Sequence, residues 1–300
     1  MTLLSLVATD ALAEAPVLDP EQLGALLYRV RSRAIADRAL PTSFPAVAAR
    51  VVDVLEQEDV DVNQLVRLVQ QDVAITATLL GVANSAAMGV GRPVTEVRDA
   101  IVHLGTREVG AVAIGAAGRA LFEPRSRVEF ETFATLWPAM YQDALGAGLT
   151  ADWLAHTLRA PGRESAFIAG MLRELGRPTT LRAIAGMVIA GEIDRPDDAT
   201  VATLVDEAGP EVGRALIENL HLPPALAAVC DERGDSTPLT QIARLAAAAG
   251  ALLAARPRPW RWASQAHDAA TRLGLSVAQL RATLTRRGED ATAARQLATA

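Results

Sequence analysis

Four histidines, His103, His156, His221 and His267, are the side chains best suited to hold a metal or shuttle a proton. No two of them stand three or four positions apart, the spacing that sets a pair on one helix face. Cys230 is the single cysteine, which excludes an intrachain disulfide and a multi-cysteine zinc site. Its thiol reads as a small core side chain. The chain has no lysine, so all 29 basic residues are arginine. That removes the P-loop, Schiff-base and kinase-type lysines together with the reactions that need them. There is no Gly-x-Ser-x-Gly elbow and no Gly-x-Gly-x-x-Gly after a strand. Gly89-Val90-Gly91 is too short to cradle a phosphate and reads as a loop. The acids of Asp194-Arg195-Pro196-Asp197-Asp198 read as a solvated turn, because a calcium loop needs further acids at fixed spacing.

The elements that must position any site are helical. Half of the 300 residues are apolar and only 4% are aromatic, so Leu, Val and Ala fill the core, and composition leans to all-α. Asp19-Pro20-Glu21 has the pattern of a helix start, followed by Leu23, Leu26, Leu27 and Val30 at helical spacing. This first helix either packs on its own core or serves a partner. Pro41 and Pro45 interrupt the period. Asp61 with Gln64 resembles a capping box, and Asp72 opens the next helix. Thr95 caps a short helix that Gly105 ends, and Thr106 caps one from about Arg107 to Phe122. Glu123 to Arg127 has the composition of a linker. Beyond it, one helix is expected over Glu164–Leu175 with Gly176 as its cap. Gly209-Pro210 is expected to separate two helices, and Ser276 with Gln279 forms a second capping box. The division expected is a tail over 1–19, a smaller helical part over 20–125 and a larger one over 128–290.

Several of these segments, in this order, resemble the HDOD (HD-related output domain) family. The matching elements are Leu40-Pro41 with Pro45, then the run from Asp72 through Leu79-Leu80 to Ala83-Asn84-Ser85-Ala86, then Ala100-Ile101 with Leu104-Gly105. Val73 departs from the family's usual proline. Gly170 to Gly176, Val212-Gly213 and Leu222-Pro223 match more loosely, and the resemblance covers about 38–240. It implies an all-α architecture in which a small N-terminal subdomain packs on an HD-like helical bundle. Asp72, Asn84, Ser85 and Gly105 also have structural readings, as cap, backbone partner or turn.

HD enzymes hold a divalent metal that activates water against a phosphate ester. The resemblance sets their His-Asp pair at Arg173-Glu174. A guanidinium has no acceptor and keeps its charge, so Arg173 is no ligand. Neither Gly209-Pro210-Glu211 nor Asp231-Glu232-Arg233-Gly234 supplies the later histidines of many relatives. Arg173 and Glu174 are then either an exposed helix pair or a charge pair in a remnant cleft. In the second case Arg177 and Arg182 offer forks for a phosphorylated ligand.

The expectation is a non-catalytic regulatory protein of a bacterial signalling pathway. It needs no metal and no cofactor and acts through protein partners. The alternatives are a sensor that binds a nucleotide, such as a cyclic dinucleotide, without cleaving it, and an active metal-dependent phosphohydrolase. A net charge of −6 argues against a nucleic-acid partner. The apolar start of the chain lacks the basic flank of a secretory signal, and Leu245–Ala255 is shorter than the roughly 20 residues of a membrane span. A cytoplasmic protein with no membrane partner is the expectation.

Overall fold

A computed structural model describes residues 18–36, 46–55, 57, 59–84, 93–161, 165–219, 226, 228–230, 237–253, 261–276 and 278–279. The expected features at Leu40, Pro41, Pro45, Ser85, His221 and Leu222-Pro223 lie outside them. The described residues are α-helical, with no strand among them. They fall into two compact units, one drawn from Met1–Thr42 and Leu121–Leu280, the other from Ser43–Ala120.

The smaller unit contains α2 (Ala46–Leu55), α3 (Val62–Val69), α4 (Val73–Ala83), α5 (Val97–Leu104) and most of α6 (Thr106–Phe122). Asp61 caps α3 by accepting from Asn63 N at 2.8 Å, and Asp72 caps α4 by accepting from Ile75 N at 3.0 Å. Each satisfies one of the amide donors that a helix start leaves open. Leu65, Leu68, Val69, Ile75, Leu79, Val97 and Ile101 are buried where α3, α4 and α5 pack on one another. Gly110 lets α6 approach α2, since a Cβ there would lie 2.3 Å from Leu55 Cδ1. Gly105 ends α5 at φ +82°, a backbone state that a β-carbon disfavours. Glu96 occupies the N-cap of α5 without a side-chain bond, where Thr95 was expected.

The larger unit contains α1 (Pro20–Ala36), α7 (Arg127–Thr132), α8 (Trp137–Thr157), α9 (Ala166–Arg173), α10 (Gly176–Ile189), α11 (Asp198–Asn219), α12 (Pro238–Leu253) and α13 (Arg261–Arg272). Asp19 caps α1, accepting from Glu21 N and Gln22 N at 2.9 Å each. Helix α1 packs on α10 and α11 through Val30 and Ala34, both fully buried. Arg31–Glu211 and Arg33–Glu192 ion pairs flank that seam. The expected smaller part over 20–125 therefore loses its first helix, because the apolar stripe of α1 finds its partners in the bundle.

Two expected breaks fall differently. The segment 164–175 is not one helix capped by Gly176. Instead α9 ends at Arg173, Glu174 turns the chain, and Gly176 begins α10. Glycine is required there because a Cβ would stand 1.8 Å from Gly209 O and 2.5 Å from Gly213 N. Likewise Gly209-Pro210 does not divide α11, which continues through Pro210. Proline removes one intrahelical donor, but the buried flanks Val205, Ala208 and Val212 hold the helix in place. No helix among the described residues is long and apolar enough to cross a membrane.

Candidate functional site

Helix α10 is buried along nearly its whole length, and charged and hydroxyl side chains thread through it. Thr179 and Thr180 donate their hydroxyls to Leu175 O and Gly176 O one turn back, at 3.4 and 2.8 Å. That back-bonding satisfies them within their own helix.

Arg177 lies one residue after the glycine contact and is drawn deep into the bundle, 8% exposed. Three elements deliver a carboxylate to it. Glu174, in the turn between α9 and α10, accepts from Nη1 at 2.7 Å. Asp143 of α8 accepts from the same nitrogen at 3.4 Å. Asp206 of α11 lies 3.3 Å from Nε, an ion pair without an aligned hydrogen bond. The three carboxylate side chains are 8%, 4% and 1% exposed for Asp143, Glu174 and Asp206. Burial alone pulls the Arg177 pKa down and is the largest single influence, but Asp206, Glu174 and Asp143 together reverse it and raise it. The guanidinium is a fixed charge inside the bundle.

Arg173 and Glu174 are buried as well, at 8% and 3% exposure, so they are not an exposed helix pair. The nearby backbone explains this, since Arg173 Nη1 donates to Val229 O at 3.3 Å and Cys230 Sγ donates to Leu172 O at 3.4 Å. A short 3-10 turn over Ala228–Cys230 thus covers the end of α9.

Arg182 forms a second buried cluster. Its Nε lies 3.2 Å from Glu129 Oε1, its Nη2 donates to Glu123 O at 2.8 Å, and its guanidinium lies 5.8 Å from the Trp137 ring centroid. Glu129 Oε2 accepts from Arg125 N at 2.6 Å, and Trp137 Nε1 donates to Glu129 O at 3.1 Å. Arg177 and Arg182 therefore turn their forks onto the protein's own acceptors, and neither is presented as an open fork for a phosphate.

Asp143, Asp206 and Glu129 were not singled out from the sequence. Their signal is an acid among small or apolar neighbours on one helix face. Asp206, Gly209 and Gly213 share such a face on α11, and Met140, Asp143 and Ala147 share one on α8.

The family motif in the smaller unit serves the backbone. Asn84 Nδ2 donates to Leu80 O at 2.8 Å and to Val94 O at 2.7 Å, while its Oδ1 accepts from Val94 N at 2.7 Å. Beside it runs a groove of about 500 Å³, lined by Val66, Val73, Thr76, Leu80, Val97 and Arg98 among others. His103 and His267 are exposed, and His156 is half-buried with Nδ1 2.9 Å from Asp152 O. Among the described residues, no three His, Cys, Asp or Glu side chains are arranged to hold a metal ion.

The HDOD domain model matches residues 40–234. An uncharacterised protein of Treponema pallidum (strain Nichols) is 26% identical over 202 residues, or 63% of this chain. The chain spans 37% of that relative's length. Among solved structures, an HDOD domain protein of unknown function from Geobacter sulfurreducens superposes with a TM-score of 0.56, 19% identity, and coverage of 88% of this chain and 99% of the other. A provisionally named metal-dependent phosphohydrolase from Shewanella amazonensis SB2B gives 0.57 at 21% identity, covering 89% and 98%. A provisionally named signal transduction protein from Marinobacter aquaeolei VT8 gives 0.60 at 18% identity, covering 95% and 68%. At these identities the likeness is one of fold. The metal in the Shewanella protein's name has no matching ligand set among the described residues. At Arg173 the side chain donates to Val229 O, and the carboxylates of Asp143, Glu174 and Asp206 already surround a guanidinium.

Proposed function

The chain belongs to the HDOD domain family, and from that membership we propose that it is a regulatory protein which works by binding other proteins and does not hydrolyse phosphate esters. The observation that carries this reading is the state of Arg173 and Glu174. A hydrolytic metal needs lone pairs directed at a position that water and substrate can reach. At this position the chain has a buried cation bonded to a backbone carbonyl and a carboxylate paired with Arg177. The signal-transduction name of the Marinobacter structure is consistent with a regulatory role. A nucleotide-binding role receives less support, because Arg177 and Arg182 are committed to internal acceptors. The surface available to a partner includes the groove beside α4 and the outward side of that helix, where Val73 is 83% exposed.

The test is a hydrolysis assay on the full chain with bis(p-nitrophenyl) phosphate and p-nitrophenyl phosphate in the presence of Mn²⁺. Product release at the rate of the Glu174→Gln variant, and no faster than buffer with Mn²⁺, is the expected result. Turnover that Glu174→Gln abolishes would refute the reading.

A further inference from the structure

We propose that Arg177 is the resident cation of the bundle, a positioning residue whose charge holds α8, α10 and α11 and the turn after α9 together beside the Arg173-Glu174 position. This rests on the reading of the chain as metal-free and goes beyond it by assigning the positive charge to one side chain. The geometry is specific. Asp143, Glu174 and Asp206 come from separate elements, each is at least nine-tenths buried, and each lies within 3.4 Å of a nitrogen of the same guanidinium. Carboxylates are not gathered in an apolar interior without a counter-charge, because their mutual repulsion and lost hydration would oppose folding. Gly176 and Gly209 make the placement possible. A Cβ on Gly209 would meet Arg177 Cγ at 3.1 Å, and one on Gly176 would overlap the α11 backbone, so α10 and α11 approach only as glycine faces. Arg177 and Asp206 are thereby brought together across that seam.

The proposal makes a prediction that packing alone does not. Arg177→Met keeps most of the aliphatic volume and removes the charge, and should lower Tm by about 10 °C. Arg177→Lys, with charge retained, should lose less. Asp206→Asn should lower the Tm of the parent chain yet raise that of the Arg177→Met chain, because a carboxylate without its cation is a liability. The experiment is thermal unfolding of the full-length parent, Arg177→Met, Arg177→Lys, Asp206→Asn and the Arg177→Met/Asp206→Asn double variant, in EDTA. Reversal of the sign of Asp206→Asn between the two backgrounds is the expected result. Equal losses in both backgrounds, or Arg177→Lys no better than Arg177→Met, would overturn the proposal. If Arg177→Met does not accumulate folded, recovery of folded protein on adding Asp206→Asn and Glu174→Gln supports the proposal, and its failure overturns it. Parent chain heated with millimolar Mn²⁺ tests the metal-free reading separately: a rise in its Tm would sink that reading, while the sign of Asp206→Asn still decides the role of Arg177.

Discussion

Helix α10 carries Arg177, Thr179, Thr180 and Arg182 and buries all four, whereas α4, made almost wholly of apolar and small residues, leaves Val73 83% exposed. Ranked by hydropathy, the two helices would exchange places. The difference lies in what each helix meets. Polar groups on α10 have internal partners: carboxylates for the two arginines and carbonyls one turn back for the two threonines. Burial of a polar group is tolerated when its hydrogen bonds and charge are matched. Helix α4 buries Ile75, Leu79 and Ala83 on one side and leaves Val73 and Ala77 exposed. Burial in this chain thus follows partnership more closely than residue type.

The comparison breaks most directly at Gly176, where α10 touches the backbone of α11. Gly176→Ala places a methyl 1.8 Å from Gly209 O, and backbone cannot rotate away as a side chain can. A loss of about 3 kcal/mol or more is expected, from the upper end of overpacking costs, measured by urea unfolding. Retention of parent stability would mean that the two helices are not so close.

Next in size is the Arg182 cluster. Arg182→Met strands Glu129 in the interior and removes the bond to Glu123 O. About 3 kcal/mol is the expected loss, as for removing one partner of a buried pair. Arg182→Met/Glu129→Gln should lose less than the sum of the two single variants, and strict additivity would show that the charges do not interact.

A smaller effect belongs to the edge of the bundle. Asp197 accepts from Thr200 N at 2.9 Å and from its hydroxyl at the first turn of α11. The side-chain bond to Thr200 lowers its pKa below the ordinary carboxylate value, despite some burial acting the other way. The stabilisation is therefore complete above the unfolded carboxylate pKa and is lost as pH falls through the lowered folded value. Asp197→Ala should cost about 1 kcal/mol at neutral pH and less once the parent carboxyl is protonated. A loss that is the same in acid would remove the cap from the account.

The smallest effect sharpens the α4 side. Val73 holds the first position of α4, where proline has a suitable φ and surrenders an amide that is open in any helix. Val73→Pro should be neutral to stabilising, by up to about 0.5 kcal/mol, in chemical denaturation. A loss greater than about 1 kcal/mol would mean that this exposed position has a structural partner.

Much of the frame is legible from local chemistry. Asp19, Asp61 and Asp72 announce helix starts because a short acceptor before an apolar period has one common use, and Gly105 marks a stop that a β-carbon disfavours. Non-local contacts are what defeat the same rules. Gly176 looks like a cap and is a close-packing residue, and Pro210 looks like a break and lies within a helix, since both outcomes are set by α10 meeting α11. The candidate site was half legible. That Arg173 cannot be a metal ligand follows from residue type, but nothing in the spacing of Asp143 and Asp206, 63 residues apart, announces that they share Arg177.

The central claim is that internal arginines, and not a metal ion, supply the positive charge of this bundle. Elemental mass spectrometry of the purified full chain tests it most directly, after exposure to mixed Mn²⁺, Fe²⁺, Mg²⁺ and Zn²⁺ and exhaustive dialysis into metal-free buffer. The account predicts metal far below one ion per chain. One or two tightly held ions per chain, lost together in the Glu174→Gln variant, would contradict it.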